Sequence, residues 1–152
     1  MIVKLNSEDG ALTLIESLFV LAVVAFLLLL PTIQMRPVEE KVETDLFIEQ
    51  LSSQITLMHQ NAVLNGEMTV IEVEPNQSRI RFSVIGNSGS ALNQTMYLPD
   101  HVTVYGGYKR YSFRPHSGNI TTVDRIRFSD SNKTFEFIFQ IGSGRFYVKE
   151  TS

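Results

Sequence analysis

The stretch that decides the fold is Ala11-Leu12-Thr13-Leu14-Ile15-Glu16-Ser17, which leads into an unbroken apolar run from Leu18 to Leu30. A helix over residues 12–35 is long enough to cross a bilayer core of about 30 Å at about 1.5 Å per residue. A buried helix of a soluble domain is the alternative, but the run leaves no polar face for it. Glu16 lies inside this segment, where a charge costs about 2.5–3.5 kcal/mol on insertion scales and so needs a partner. We therefore expect a transmembrane helix that carries a paired carboxylate.

Length and composition limit what surrounds this segment. The chain has 152 residues, 43% of them apolar, and a net charge of −3, which fits one modest domain plus one helix. It contains no cysteine, which excludes a disulfide framework and thiolate metal sites. Residues 1–11 are polar and precede the apolar run, and no small-residue cleavage site follows that run. We expect residues 1–11 to be a leader peptide and the apolar segment to be retained.

Residues 36–65 are predicted to form an amphipathic continuation of the helix. Apolar residues recur there at intervals of three to five positions, and acidic residues fall mostly between them. The predicted packed positions are Val38, Val42, Leu46 or Phe47, Leu51, Ile55, Met58 and Ala62. Asn65-Gly66 is a helix stop signal.

Residues 66–152 read as a β-rich globular domain, because the apolar period changes to two. Ile71 and Val73 form a predicted hairpin with residues 80–84 across the turn Pro75-Asn76-Gln77-Ser78. Further short strands follow at residues 96–98, 102–105, 111–113, 125–128, 135–141 and 146–148. Hairpin-length connections predict an antiparallel sheet whose apolar face covers the helix. The expected fold class is α+β, with a long N-terminal helix packed on a small antiparallel sheet.

The first forty residues resemble the N-terminal signal of type IV pilins and pseudopilins, through Thr13-Leu14-Ile15-Glu16 ahead of an apolar run. The resemblance implies cleavage between Ala11 and Leu12 by a prepilin peptidase, methylation of the new N-terminus at Leu12, and Glu16 as the fifth mature residue. Cleavage after Gly10 would make Glu16 the sixth residue, so the first register is preferred. The family pairs this glutamate with the α-amine of a neighbouring subunit, which gives Glu16 an assembly role.

Two C-terminal stretches make the resemblance more specific. Phe113-Arg114-Pro115-His116-Ser117-Gly118 and Ile141-Gly142-Ser143-Gly144-Arg145 are similar to hairpins of the FimT/GspH-like minor pseudopilins, and most similar to competence pseudopilins of the ComGD type. The resemblance implies a structural role in DNA uptake during transformation. Its implied partners are the prepilin peptidase, major and other minor pseudopilins, the assembly platform and ATPase, membrane lipid before assembly, and DNA. The implied location is the cell membrane, with the C-terminal domain outside and at the cell surface once assembled.

Charge is unevenly distributed along the chain. Residues 38–74 contain eight acidic residues and one basic residue, whereas residues 101–152 contain eight basic and four acidic ones. Candidate phosphate contacts are Lys109, Arg110, Arg114, Arg125, Arg127 and Arg145, with Tyr108 and Tyr111 available for stacking. The preferred interpretation is that these are ordinary outward-facing strand positions.

No pattern in the sequence points to catalysis. His59, His101 and His116 lack metal-ligand spacing, and the Gly86-Asn87-Ser88-Gly89 loop lacks the lysine of a phosphate loop. We therefore expect no catalytic residues, no metal and no cofactor. The alternative functions are a minor pseudopilin of a type II secretion or type IV pilus system, and a single-pass membrane-anchored binding domain or hydrolase.

Overall fold

The computed structural model describes the backbone of residues 7–34, 36–122 and 124–151, and the side chains of residues 14–28, 38–122 and 124–151. The chain divides into two compact units, Met1–Lys41 and Val42–Ser152, and the second is called the head below. Helix α1 is Ser7–Gln34 and helix α2 is Arg36–Leu64.

The side chains described in α1 are all exposed, including the apolar ones from Leu14 to Leu28. Across the part of the chain that is described, no helix has both the length and the apolar character to cross a membrane. The transmembrane segment predicted at residues 12–35 is therefore not confirmed. The side chains of residues 12, 13 and 29–35 lie outside the described ones.

Within the head, α2 packs along one face as its apolar spacing predicts. The fully or almost fully buried positions are Thr44, Phe47, Ile48, Leu51, Gln54, Ile55, Met58 and Ala62. Of the predicted alternatives Leu46 and Phe47, Phe47 is buried and Leu46 is 51% exposed. The predicted packed position Val42 is 52% exposed. The packed stripe begins at Thr44, and the predicted packed position Val38 is exposed as well.

The strands of the head form two antiparallel sheets instead of the single sheet expected. They are β1 (Thr69–Glu74), β2 (Arg79–Val84), β3 (Gln94–Tyr97), β4 (Thr103–Tyr105), β5 (Lys109–Phe113), β6 (Ile126–Ser129), β7 (Thr134–Phe139) and β8 (Phe146–Thr151). Sheet I has the order β3-β2-β1-β5 and sheet II the order β4-β6-β7-β8. The chain changes sheet between β3 and β4, between β4 and β5, and again between β5 and β6, so neighbours in sequence do not always pair.

One core joins α2 to both sheets. Sheet I contributes Ile71, Val73, Ile80, Phe82, Tyr111 and Phe113, and sheet II contributes Val104, Ile126, Phe128, Phe135, Phe137 and Phe139. Phe47 of α2 meets Phe128 edge-on at a centroid distance of 5.5 Å, and Tyr111 of sheet I meets Phe139 of sheet II at 5.2 Å. The phenylalanine row of β7 is therefore core, as its alternation predicts.

Tyr111 carries the one polar atom of this core that has no hydrogen-bond partner among the described residues, its phenolic oxygen. Burial, with a smaller contribution from the Asp124 charge, raises the pKa of Tyr111 far above its ordinary value. Since an unpaired buried hydroxyl costs about 1–3 kcal/mol, the Tyr111→Phe variant should be more stable by about 1 kcal/mol. Urea unfolding should therefore show a higher midpoint concentration, with the slope of unfolding free energy against urea unchanged. Tyr105→Phe, at a half-exposed position, is the control and should be neutral; a lower midpoint for Tyr111→Phe would contradict the prediction.

Candidate assembly and binding surfaces

Glu16 lies on an exposed apolar surface of α1. It lines a shallow groove with Ser17, Val20, Leu21 and Val24. The neighbouring Leu18 and Phe19 are 64% and 70% exposed, so the carboxylate is set in a surface that favours lipid or another subunit over water. Such a surface is suited to being covered, and a covered carboxylate needs a cation or a donor.

Ala11 and Leu12, the predicted cleavage site, lie in the helical backbone of α1, and their side chains are outside the described residues. The cleavage between them and the methylation of Leu12 therefore stay predictions.

The Phe113–Gly118 stretch docks at the C-terminal end of α2. The His116 amide donates to the Ala62 carbonyl at 2.8 Å, and the Gly118 amide closes the turn onto the Arg114 carbonyl at 2.9 Å. Gly66 ends the helix with a φ of 65°, and a Cβ there would lie 2.3 Å from the His116 ring. The proline-containing hairpin singled out in the sequence is thus a structural cap for the helix.

The second hairpin, Gln140–Arg145, docks beside the first and is called the tip hairpin. The Gln140 amide donates to the Arg145 carbonyl at 2.7 Å, which closes the turn. His59 of α2 donates from Nε2 to the Ser143 carbonyl at 3.0 Å. A Cβ on Gly144 would lie 1.9 Å from the Gly118 carbonyl oxygen, so the two hairpins meet with no room for a side chain. The two stretches that resemble pseudopilins therefore form one contact at the helix end.

The six basic residues predicted as candidate phosphate contacts do not form one surface. Arg110 lies on the outer face of sheet I, whereas Arg125 and Arg127 line the outer face of sheet II. Arg114 and Arg145 belong to the two hairpins at the end of α2. The distribution favours outward-facing strand and turn positions over one continuous phosphate track.

Three of the six are held by carboxylates. Lys109 bridges Asp124 at 2.6 Å, and this lysine, as hydrogen-bond donor, lowers the pKa of Asp124. Arg127 and Arg125 contact Glu136 at 2.6 and 3.4 Å, and Arg127 is the main cause of the lowered pKa of Glu136. These ion pairs reduce the positive charge that an anion would meet.

Sequence reasoning missed Lys149, which lies directly across from Glu136 on β8 and lines the same outer face as Arg127. The alternation of Phe146, Tyr147, Val148 and Lys149 was the available signal, since residues two apart share a face.

The three histidines occupy separate places. His59 supports the tip hairpin, His116 packs on Gly66, and His101 accepts or donates a 2.9 Å hydrogen bond with the buried Thr44 hydroxyl. Within the described ranges no group of three or more histidine, aspartate and glutamate side chains is placed to hold a metal ion. Thr44 is 1% exposed, so its contact with His101 is closed to a substrate.

Comparison with known proteins shows the fold. The chain is similar to two structures of the minor pseudopilin EpsH from the type II secretion system of Vibrio cholerae. The TM-scores are 0.57 and 0.56 at 12% identity, over 70% and 71% of this chain and 96% and 94% of EpsH. The type IV minor pilin FimU of Pseudomonas aeruginosa matches with a TM-score of 0.54 at 12% identity, over 72% of this chain and 90% of FimU. No family model matches the chain, and no curated protein matches it in sequence. The chain therefore has a type IV pilin-like fold of the kind seen in minor pseudopilins.

Proposed function

We propose that this chain is a minor pseudopilin of a competence pilus, of the ComGD type, with a structural and assembly role in DNA uptake across the cell envelope. The observation that carries the proposal is the contact between the two pseudopilin-like hairpins and the end of α2, since it gives their glycines and His59 a defined place in a pilin-like head. Glu16 in an exposed apolar helix surface adds the feature that a filament stalk needs. The chain acts without catalysis, metal or cofactor.

In the proposed assembly pathway, the chain is first inserted into the membrane. Residues 12–35 anchor it as a single pass with the head outside, residues 1–11 are removed by a prepilin peptidase, and Leu12 becomes the methylated N-terminus. The mature chain then joins the major and other minor pseudopilins through the assembly platform and its ATPase. Inside the filament, the Glu16 carboxylate pairs with the α-amine of a neighbouring subunit. The two charges compensate each other only when the subunits are in register.

We expect the mature chain to begin at N-methylated Leu12 when the full chain is produced together with a prepilin peptidase. Intact-mass spectrometry and N-terminal sequencing measure this directly. Production without the peptidase is the control and should give the unprocessed chain. An intact residue 1 in the presence of active peptidase would favour a membrane-anchored binding domain instead.

A pseudopilin of a type II secretion system or a type IV pilus is the second candidate. It is favoured by the fold likeness to EpsH and FimU, whose systems are named above. Deletion of the gene separates the two: loss of transformation supports the competence role, and loss of protein secretion supports the alternative. Because Lys109, Arg125 and Arg127 are paired with carboxylates, we favour a structural role for the head over direct binding of DNA.

A further inference from the structure

The tip hairpin presents an apolar and basic surface at one end of the head. Ile141 at its turn is 78% exposed, and Arg145 beside it is exposed as well. The hairpin is held in place by the His59 hydrogen bond and by the close contact of Gly144 with Gly118. It is therefore an exposed but preorganised projection, and preorganisation lowers the entropic cost of binding.

An apolar and acidic groove lies on the other half of α2. It has a volume of about 480 Å³ and is lined chiefly by Glu43, Leu46, Gln50, Tyr97, Pro99 and Asp100. Leu46 and Tyr97 are 51% and 67% exposed and form its apolar part, and Glu43 and Asp100 supply two carboxylates. The groove is called the acidic groove below.

The tip hairpin and the acidic groove are complementary in charge and in polarity. Ile141 and the Arg145 cation on one surface match the apolar Leu46 and Tyr97 and the Asp100 carboxylate on the other.

The second carboxylate of the groove, Glu43, also lies 3.6 Å from His101 Nδ1. His59, which holds the tip hairpin, is thirteen residues beyond Leu46 on α2, or about 20 Å along the helix. The two surfaces therefore cannot meet within one molecule.

We propose that the tip hairpin of one copy of this chain docks into the acidic groove of a second copy. The contact uses different surfaces on the two copies, so it is heterologous. A second copy is thus the partner of the filament subunit at this contact, and the proposal rests on the proposed function.

Cysteine cross-linking tests the contact, since the natural chain contains no cysteine. Full chains carrying Leu46→Cys and Ile141→Cys are purified separately in detergent, mixed and oxidised. A covalent dimer should form in the mixture and in neither variant alone, because a disulfide requires Cα atoms about 4.4–6.8 Å apart. Mixing Leu46→Cys with Tyr105→Cys, at an exposed position on β4, is the matched control.

Charge reversal gives a second readout. Asp100→Lys in the Leu46→Cys chain, or Arg145→Glu in the Ile141→Cys chain, should each lower the dimer yield by about two- to fivefold, and the two reversed chains together should recover it. A yield no higher than the Tyr105 control, or Ile141→Cys dimers without Leu46→Cys, would overturn the proposal. Detergent cross-linking needs neither peptidase nor other pseudopilins, so such a failure would leave the proposed function standing.

Discussion

Replacing Gly144 by alanine is expected to destabilise the head by about 3 kcal/mol or more and to lower its Tm by about 10 °C. The new Cβ would lie 1.9 Å from the Gly118 carbonyl oxygen, which is backbone and cannot rotate away. Gly144 also has a φ of 64°, which an alanine adopts only with strain. The hairpins would have to separate, and the His59 bond to Ser143 would be lost with them. Thermal unfolding followed by circular dichroism measures the effect.

Gly142→Ala is the matched control in the same turn. Gly142 has a φ of 81°, but nothing lies within 4 Å of a Cβ built there. The variant should therefore lose only the cost of the left-handed backbone, about 1–2 kcal/mol. Equal losses in the two variants would show that the contact between the hairpins contributes nothing to stability.

Glu16→Ala is expected to reduce incorporation of the chain into filaments to background, while cleavage by the prepilin peptidase continues. The removed carboxylate is the proposed partner of the α-amine of Leu12 in a neighbouring subunit, and that amine would then lie unpaired among apolar side chains. Sheared filaments and cell membranes, probed with an antibody to the head, give the incorporated and the processed fractions separately.

Two further variants sharpen this result. Glu16→Gln keeps the shape of the side chain without its charge and should fail as alanine does, which identifies the charge as the requirement. Glu39→Ala removes an exposed acid from α2 and should assemble normally. Normal filament recovery for Glu16→Ala would remove the proposed pairing.

Local features of this fold could be read from the sequence, because each depends on neighbouring residues. The end of α2 at Leu64, the β1–β2 hairpin and the buried row Phe135, Phe137 and Phe139 follow from period and turn chemistry. Strand partners could not be read in the same way. β5 pairs with β1, with Tyr111 opposite Ile71, and alternation alone does not specify a partner forty residues away.

For the candidate surfaces, too, local motifs could be predicted from the sequence and contacts between distant residues could not. The hairpin motifs identified the residues at the end of α2, but not that Gly118 and Gly144 touch each other there. The basic residues are close together in sequence, but Arg110 and Arg127 lie on different sheets, which divides them into separate surfaces. Alternation along β8 can place Lys149 on an outer face, but its place on the same sheet face as Arg127 depends on the pairing of β7 with β8.

The bond from His59 to Ser143 joins residues 84 positions apart, and it has a consequence for biosynthesis. The helix end cannot be closed until the tip hairpin, some eighty positions further along the chain, has been made. Contacts this distant in sequence form late in folding, because the loop between them must first be closed. The head therefore becomes compact only after the tip hairpin has been synthesised, and until then the end of α2 lacks its contact with Ser143.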